Sequence, residues 1–316
     1  MTVSGVFTTT SAVGIREDLE DVIYRIDPTE VPFFSAIGKG KADNKYHEWQ
    51  TDNLAAASGS NAALEGADAA EAVTIPTARL GNRTQIMTKT AKVSGSLNAV
   101  NTAGRKNELA LQVLKKGLEM RRDMEANLTQ NGASQIDNGT VPGLSAGIES
   151  FLKTNVSRGT SGANGGFSGG IVAAPTDGTQ RAFTETLLKT VIASCYTNGG
   201  RPSILSLGVS QKQVFSSFTG IALNRREAKG KAQAIITGAA DVYVSDFGEL
   251  SVVPDIFQRN RSALLLSPKF AKVAYLRSMR NWALAKTGDA EKRQLLVEYT
   301  LVCANEAAHG VVADLT

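Results

Sequence analysis

The chain has 316 residues, 42% hydrophobic and 20% charged, and a formal net charge of +4 from 34 basic and 30 acidic side chains. That length suits about two domains of roughly 150 residues, and the globular proportions exclude a disordered, collagen-like or disulfide-scaffold protein. The charge is too mild to mark a dedicated nucleic-acid binder, no apolar run approaches the roughly 20 residues that cross a bilayer, and residues 1–14 lack the basic-then-apolar pattern of a secretory signal.

The first organised segment is 15–26, where Ile15, Leu19, Val22, Ile23 and Ile26 recur at helical spacing while Glu17, Asp18, Glu20 and Asp21 face away. Asp27 and Pro28 stop it. Residues 29–41 carry an apolar patch of Phe33, Phe34 and Ile37 beside Pro32, which reads either as an extended arm laid on another surface or as a loop anchored in the core. Residues 44–53 and 79–93 are rich in Thr and aromatic or branched residues and poor in helix formers, so each predicts a strand. Between them, 54–73 is an Ala/Gly/Ser/Asn stretch with Glu65, Asp68 and Glu71 that has little to pack. Together they form a long two-stranded arm with an uncovered tip. An isolated hairpin is at best marginal in water, so this arm needs a second surface, such as another subunit.

Residues 105–131 hold no proline, and Ala110, Val113, Leu114, Gly117, Met120, Met124 and Leu128 mark one helical face. A helix of that length predicts a spine, with Asn131-Gly132 as its stop. The stretch 158–170 is dense in glycine and reads as a flexible connector. Thr184 is a natural N-cap for a helix over 185–198, with Leu187, Leu188, Val191, Ile192 and Cys195 on the buried side and Gly199-Gly200 ending it. A buried strand at 203–207 follows, then a short helix at 211–218 and a basic loop with Arg225, Arg226, Lys229 and Lys231. Strands are predicted at 242–254, folded about Phe247-Gly248, and at 263–266, 272–276 and 295–305. In the last of these, Leu295, Val297, Tyr299, Leu301 and Cys303 share one face. This order of elements is that of an α+β chain.

Chemistry is scarce. Only His47 and His309 could supply imidazole, and Cys195 and Cys303 lie far apart, so no metal-ligand cluster, redox pair or cofactor is expected, and the thiols suit a reducing compartment. No phosphate loop occurs; Gly38-Lys39-Gly40-Lys41 and Gly230-Lys231 lack the rest of the pattern. Gly166-Phe167-Ser168-Gly169-Gly170 satisfies G-x-S-x-G, but the nucleophile elbow of a hydrolase must follow a buried strand and open a helix, and this match sits inside a glycine run. The chain therefore reads as a non-enzyme whose uncovered strand edges and apolar arms are covered by symmetric copies.

The runs IDPTEVPFFSAIGKGKA (26–42), YHEWQTD (46–52), RLGNRTQI (79–86), VYVSDFGELSVVP (242–254), LAKTGDAEK (284–292) and EYTLVCANEAAHG (298–310) extend that reading. In content and order they resemble the major head proteins of tailed bacteriophages, over nearly the whole chain. The resemblance implies the Hong Kong 97-like capsid fold: an N-terminal arm at 1–40, an extended loop at 41–103, a peripheral domain at 104–180 and 262–316 that carries the spine helix, and an axial domain at 181–261. It implies self-assembly into hexamers and pentamers of an icosahedral virion shell, formed in the host bacterial cytoplasm around non-specifically bound double-stranded DNA. Scaffolding, portal and decoration proteins are the further partners implied. Because the chain begins at a short arm, any scaffold is expected to be a separate protein or unnecessary.

On that mapping the candidate inter-subunit contacts are Phe33, Phe34, Ile37, Tyr46, Trp49, Ile86, Arg225 and Arg226. No catalytic, cofactor-binding or metal-binding residue is assigned. Some members of the wider fold cross-link subunits between lysine and asparagine; Lys39, Lys41 and Lys45 are not assigned that role, because nothing in one sequence sets a carboxylate beside both groups. Two alternative functions stand beside the phage shell: a nanocompartment shell of the encapsulin type, enclosing cargo enzymes, and a serine hydrolase using Ser168.

Overall fold

The computed structural model describes residues 26–66, 68, 76–100, 102–218 and 241–316. The predicted helix at 15–26 thus lies, except for Ile26, outside the described residues, as does the basic loop with Arg225, Arg226, Lys229 and Lys231.

The described chain opens with a short helix α1 (Pro32–Ala36), strand β1 (Gly38–Lys41) and the hairpin β2 (Tyr46–Thr51) and β3 (Ala78–Arg83). Next come β4 (Gln85–Ser94), α2 (Gly95–Ala99) and the long α3 (Glu108–Thr129), then α4 (Ile148–Phe151), β5 (Val156–Ser157), β6 (Gly166–Ser168) and β7 (Ile171–Ala173). A second group follows: α5 (Glu185–Thr197), β8 (Ile204–Leu207), α6 (Val209–Ser216), β9 (Val242–Ser245), β10 (Gly248–Pro254), β11 (Ser262–Leu266), β12 (Ala271–Ala283), β13 (Ala290–Cys303) and β14 (Gly310–Ala313).

Two sheets organise these elements, one four-stranded in the order β1-β12-β13-β4 and one six-stranded in the order β5-β14-β11-β8-β10-β9. The spine helix α3 lies on β4 and β13, burying Met120, Met124 and Leu128 against Leu295, Val297, Tyr299 and Leu301. Its 22 residues give about 33 Å at about 1.5 Å per residue. Asn107 caps it by accepting the Ala110 N–H. A second core gathers Leu188, Val191, Ile192 and Cys195 of α5 with Leu205, Leu207, Phe215, Tyr243 and Val252. Thr184 caps α5 as expected, its side chain accepting the Leu187 N–H.

Strands β11 and β14 divide the two cores. Leu264, Leu266, Val311 and Ala313 face the spine-helix core, and Ala263, Leu265 and Val312 face the α5 core. Successive side chains of a strand point to opposite faces, so a wall wetted on neither side is apolar along most of its length, with the one polar side chain of β11, Ser262, accepting a hydrogen bond from Gln258. The β11 sequence SALLL is buried throughout. The sheet around β8 to β10 therefore takes β11 and β14 from 262–316 and β5 from 104–180, so strand pairing crosses the expected boundaries at 181 and 262.

Three local expectations change. Of the two readings of the Phe33, Phe34 and Ile37 patch, anchoring in the subunit's own core is the one observed, but as helix α1 docked on α3 and not as a loop or an extended arm. The single strand expected over 79–93 breaks at Thr84 into β3, paired with β2, and β4, paired with β13. The glycine-dense stretch 158–170 is an ordered part of the fold. The Gly159 N–H donates to the Asp314 carboxylate at 3.0 Å, and Gly169 and Gly170, both at positive φ, turn β6 into β7 with Val172 buried.

Candidate assembly surface

The arm formed by β2 and β3 leaves the body at a root made of buried polar side chains. Asn82 Nδ2 donates to the Leu301 carbonyl at 2.9 Å and to Ser145 Oγ at 3.2 Å, while its Oδ1 accepts the Ala146 N–H at 3.1 Å. One residue beyond β3, Thr84 Oγ1 donates to Glu298 at 3.0 Å, and the other Glu298 oxygen accepts Arg277 Nε at 2.6 Å. The Thr84 N–H donates to the Lys45 carbonyl at 2.8 Å, joining the two sides of the root. A buried carboxylate or amide is tolerable only with its hydrogen bonds made, so these partners fix both the exit direction of the arm and the point where the chain changes sheets.

Outward from that root, support falls away. Tyr46 lies half-buried across Gly81, where a Cβ would come within 2.6 Å of its ring, and the Arg83 guanidinium stacks over its other side at 4.0 Å. Trp49 packs half-buried against Phe151 with ring centroids 6.1 Å apart. Beyond β2 the described residues 52–66 hold no strand or helix, and Leu54 and Leu64 are 97% and 85% exposed. Both are apolar area that the subunit itself leaves uncovered.

Among the described residues, two sheet edges are also open. β1 pairs with β12 only as far as Tyr275, so the outer edge of β12 from Leu276 to Ala283 has no partner strand among the described residues, and it carries the partly exposed Trp282. β9 closes the other sheet with Val242 and Val244 facing outward, next to Phe247 stacked on Tyr196 at 4.7 Å. Unpaired N–H and C=O groups beside exposed apolar side chains form a template for strand pairing.

The eight residues singled out from the sequence separate by burial. Phe33 and Ile37, at 2% and 6% exposure, are buried in the subunit's own core and have almost no area left for a neighbour. Phe34 is half-buried with the Lys39 ammonium 5.4 Å from its ring, Tyr46 and Trp49 sit at the arm root, and Ile86 is exposed on the outer face of β4. Arg225 and Arg226 lie outside the described residues. Sequence reasoning missed Asn82, Glu125 and Glu298. Glu298 shows only as a polar residue within an apolar alternation, which an exposed edge produces equally well, while Asn82 and Glu125 sit among other polar residues with nothing to set them apart.

The catalytic alternatives find no geometry. Ser168 ends the short strand β6, exposed, and is followed by a turn into β7 and no helix. His309 is fully buried; its Nδ1 accepts the Ser267 N–H at 3.2 Å, and burial lowers its pKa to about 4. Burial pushes the Cys195 thiol up to about 12 and raises the Cys303 thiol as well, so neither is a thiolate nucleophile. Among the described residues no group of His, Cys, Asp or Glu side chains could hold a metal ion, and no helix is long and apolar enough to cross a membrane.

Comparison with known proteins identifies the family and the fold. The model of the SU10 major capsid protein family matches residues 2–316. A major capsid protein of Escherichia phage Phieco32 is 25% identical over 331 residues, covering 91% of this chain and 90% of the relative. Among solved structures, a chain of the Cyanophage A-1(L) capsid asymmetric unit superposes with a TM-score of 0.66 at 14% identity, covering 98% of each chain. A chain from Gordonia phage Cozz gives 0.60 at 12% identity over 99% of this chain and 96% of that one. The α+β fold is thus of the Hong Kong 97 type, and neither the nanocompartment shell nor the Ser168 hydrolase gains support. With the match running over nearly every residue, and with a surface of open edges and uncovered arms, the chain belongs to the SU10 major capsid protein family and is a structural protein of the phage head.

Proposed function

We propose that copies of this subunit form hexamers and pentamers of an icosahedral shell by laying their arms and open strand edges on one another. The observation that carries the reading is the nearly complete exposure of Leu54 and Leu64 at the end of an arm whose root is clamped by buried Asn82 and Glu298. A rigid root aims the arm, and the uncovered tip supplies area to bury. Permanent interfaces of this kind commonly total about 2,000 to 5,000 Å². Phe34, Tyr46, Trp49 and Ile86 are contact residues in this reading, with Arg225 and Arg226 near a capsomer axis, and Phe33 and Ile37 contribute by holding Phe34 in place. The division into an N-terminal arm (1–40), extended loop (41–103), peripheral domain (104–180 and 262–316) and axial domain (181–261) belongs to the same proposal.

The shell encloses double-stranded DNA through unspecific, salt-sensitive contacts, assembles in the cytoplasm of the host bacterium, and has no enzymatic activity of its own. Portal and scaffolding proteins are the expected partners. A decoration protein is a further one, since the Phage G structure that shares this fold at a TM-score of 0.52 contains major capsid and decoration proteins. Electron microscopy of the purified chain, with and without a co-expressed scaffold, tests the reading. Closed shells are expected from the full chain, and soluble, folded, unassembled subunits from a variant with 54–77 replaced by a short Gly-Ser turn. Shells of unchanged size and yield from that variant overturn the role of the arm.

A further inference from the structure

Glu125, toward the C-terminal end of the spine helix, is fully buried and makes no ion pair among the described residues. Its two oxygens accept the N–H groups of Phe33 and Phe34, each at 2.7 Å, at the start of α1. The same carboxyl meets that of Asp255, just past the end of β10, which is 1% exposed. Asp255 Oδ1 accepts the Phe257 N–H at 2.8 Å, whereas Asp255 Oδ2 is buried with no donor among the described residues. Three elements meet here: the root of the N-terminal segment, the spine helix, and the β10–β11 turn that comes from the other core.

Two touching carboxyls cannot both be ionised out of water without a counter-charge. No surrounding charge forms an ion pair with either carboxyl among the described residues. On α3, Arg121 is exposed beside Phe34 and Tyr275, Arg122 lies over the Phe257 ring at 5.6 Å, and Asp123 binds Lys89 at 2.7 Å. In the β10–β11 turn, Arg259 contacts Glu149 and Asp177, and Arg261 contacts Asp314 and Asp177. Helix α1 has no ionisable side chain, and Lys39 beyond it lies over Phe34. A proton on Glu125 resolves the arrangement, because it supplies the donor that Asp255 Oδ2 lacks and leaves the lone pairs that accept from Phe33 and Phe34.

We propose that Glu125 and Asp255 share one proton, and that this proton closes a clasp fastening α1 and the β10–β11 turn to the spine helix, a clasp that loosens as the pH rises. Desolvation raises the Glu125 pKa to about 8, and Asp255 is raised as well, in keeping with the geometry. The sign follows from linkage. Opened, Glu125 ionises near its ordinary value of 4.5; closed, it holds its proton to about pH 8. The open form is therefore favoured about tenfold more per pH unit between those limits, and no further above them.

Two readouts on the full chain test this. The first is the infrared spectrum of protein labelled with 13C-glutamate. Wild type is expected to show a protonated glutamic acid band at pH 7 that fades above pH 8 and is absent from Glu125→Gln. The second is hydrogen exchange of peptides covering 30–37, expressed as protection relative to intrinsic rates. Wild-type protection is expected to fall about tenfold per pH unit from about pH 5 to 8 and then level off. In Glu125→Gln, whose amide both donates and accepts, protection stays independent of pH. Asp255→Asn, which donates to an ionised Glu125, behaves the same way and carries the test if the glutamine variant fails to fold. The absence of a protonated-acid band that depends on Glu125 overturns the proposal, and so does a wild-type protection profile parallel to that of the variants.

Discussion

The wall formed by β11 and β14 and the arm formed by β2 and β3 are both built from β-strands, yet they stand at opposite extremes of burial. Each residue of β11 is covered, with alternate side chains entering two different cores. The arm has one face against the body near Trp49 and then runs out into exposed chain at Leu54 and Leu64. The contrast separates two tasks. The wall holds one subunit together from within, whereas the arm adds little to the subunit and presents surface that the subunit itself leaves uncovered.

Substitutions on each side should break that comparison in opposite ways. The largest loss of subunit stability is expected from Leu264→Ala, about 2 to 5 kcal/mol in a denaturant titration, because the cavity opens in a wall that cannot collapse from either side. Next comes pH. Burial holds His309 neutral down to about pH 4, so its share of stability, about 3 kcal/mol at most, is present above its ordinary value of 6.5 and lost as the pH falls from there to 4. Glu125 acts with the other sign, lowering stability by about 1.4 kcal/mol per unit as the pH rises from 4.5 to about 8. The two offset between 4.5 and 6.5, leaving a falling limb above pH 6.5 that Glu125→Gln removes and a falling limb below pH 4.5 that His309→Asn removes.

A smaller effect is expected at the hinge between the two regions. Asn82→Ala leaves the Leu301 carbonyl and the Ala146 N–H without their partner, for about 1 to 3 kcal/mol of stability together with faster proteolysis of the arm. The smallest belongs to the tip. Leu54→Ser should change the unfolding midpoint of the isolated subunit by no more than about 0.5 kcal/mol, while slowing shell formation followed by light scattering. A large destabilisation by Leu54→Ser would erase the distinction between wall and arm.

Much of the fold was legible in the chain because it rests on local periodicity. The face of Leu295, Val297, Tyr299, Leu301 and Cys303 was readable from a spacing of two, and α5 from its Thr184 cap and helical stripe. The spine helix was readable to within a few residues at each end. The break at Thr84 was not, since nothing in TQIM distinguishes a strand that continues from one that changes partners; the reason lies in Glu298, 214 positions away. Nor was the fate of Phe33. Its burial depends on Glu125, 92 positions on, accepting its amide.

By itself, then, the order of residues determined the α+β class, the main helices and strands and, through its resemblance to phage head proteins, the kind of molecule this is. The tertiary structure alone decided which apolar residues are consumed within the subunit and which remain for its neighbours. Helical and strand periodicity are set by residues a few positions apart. The buried amide and carboxyl groups that aim the arm and clasp α1 find their partners only after distant segments have packed, because their cost of leaving water is offset by hydrogen bonds that no local stretch of chain can supply.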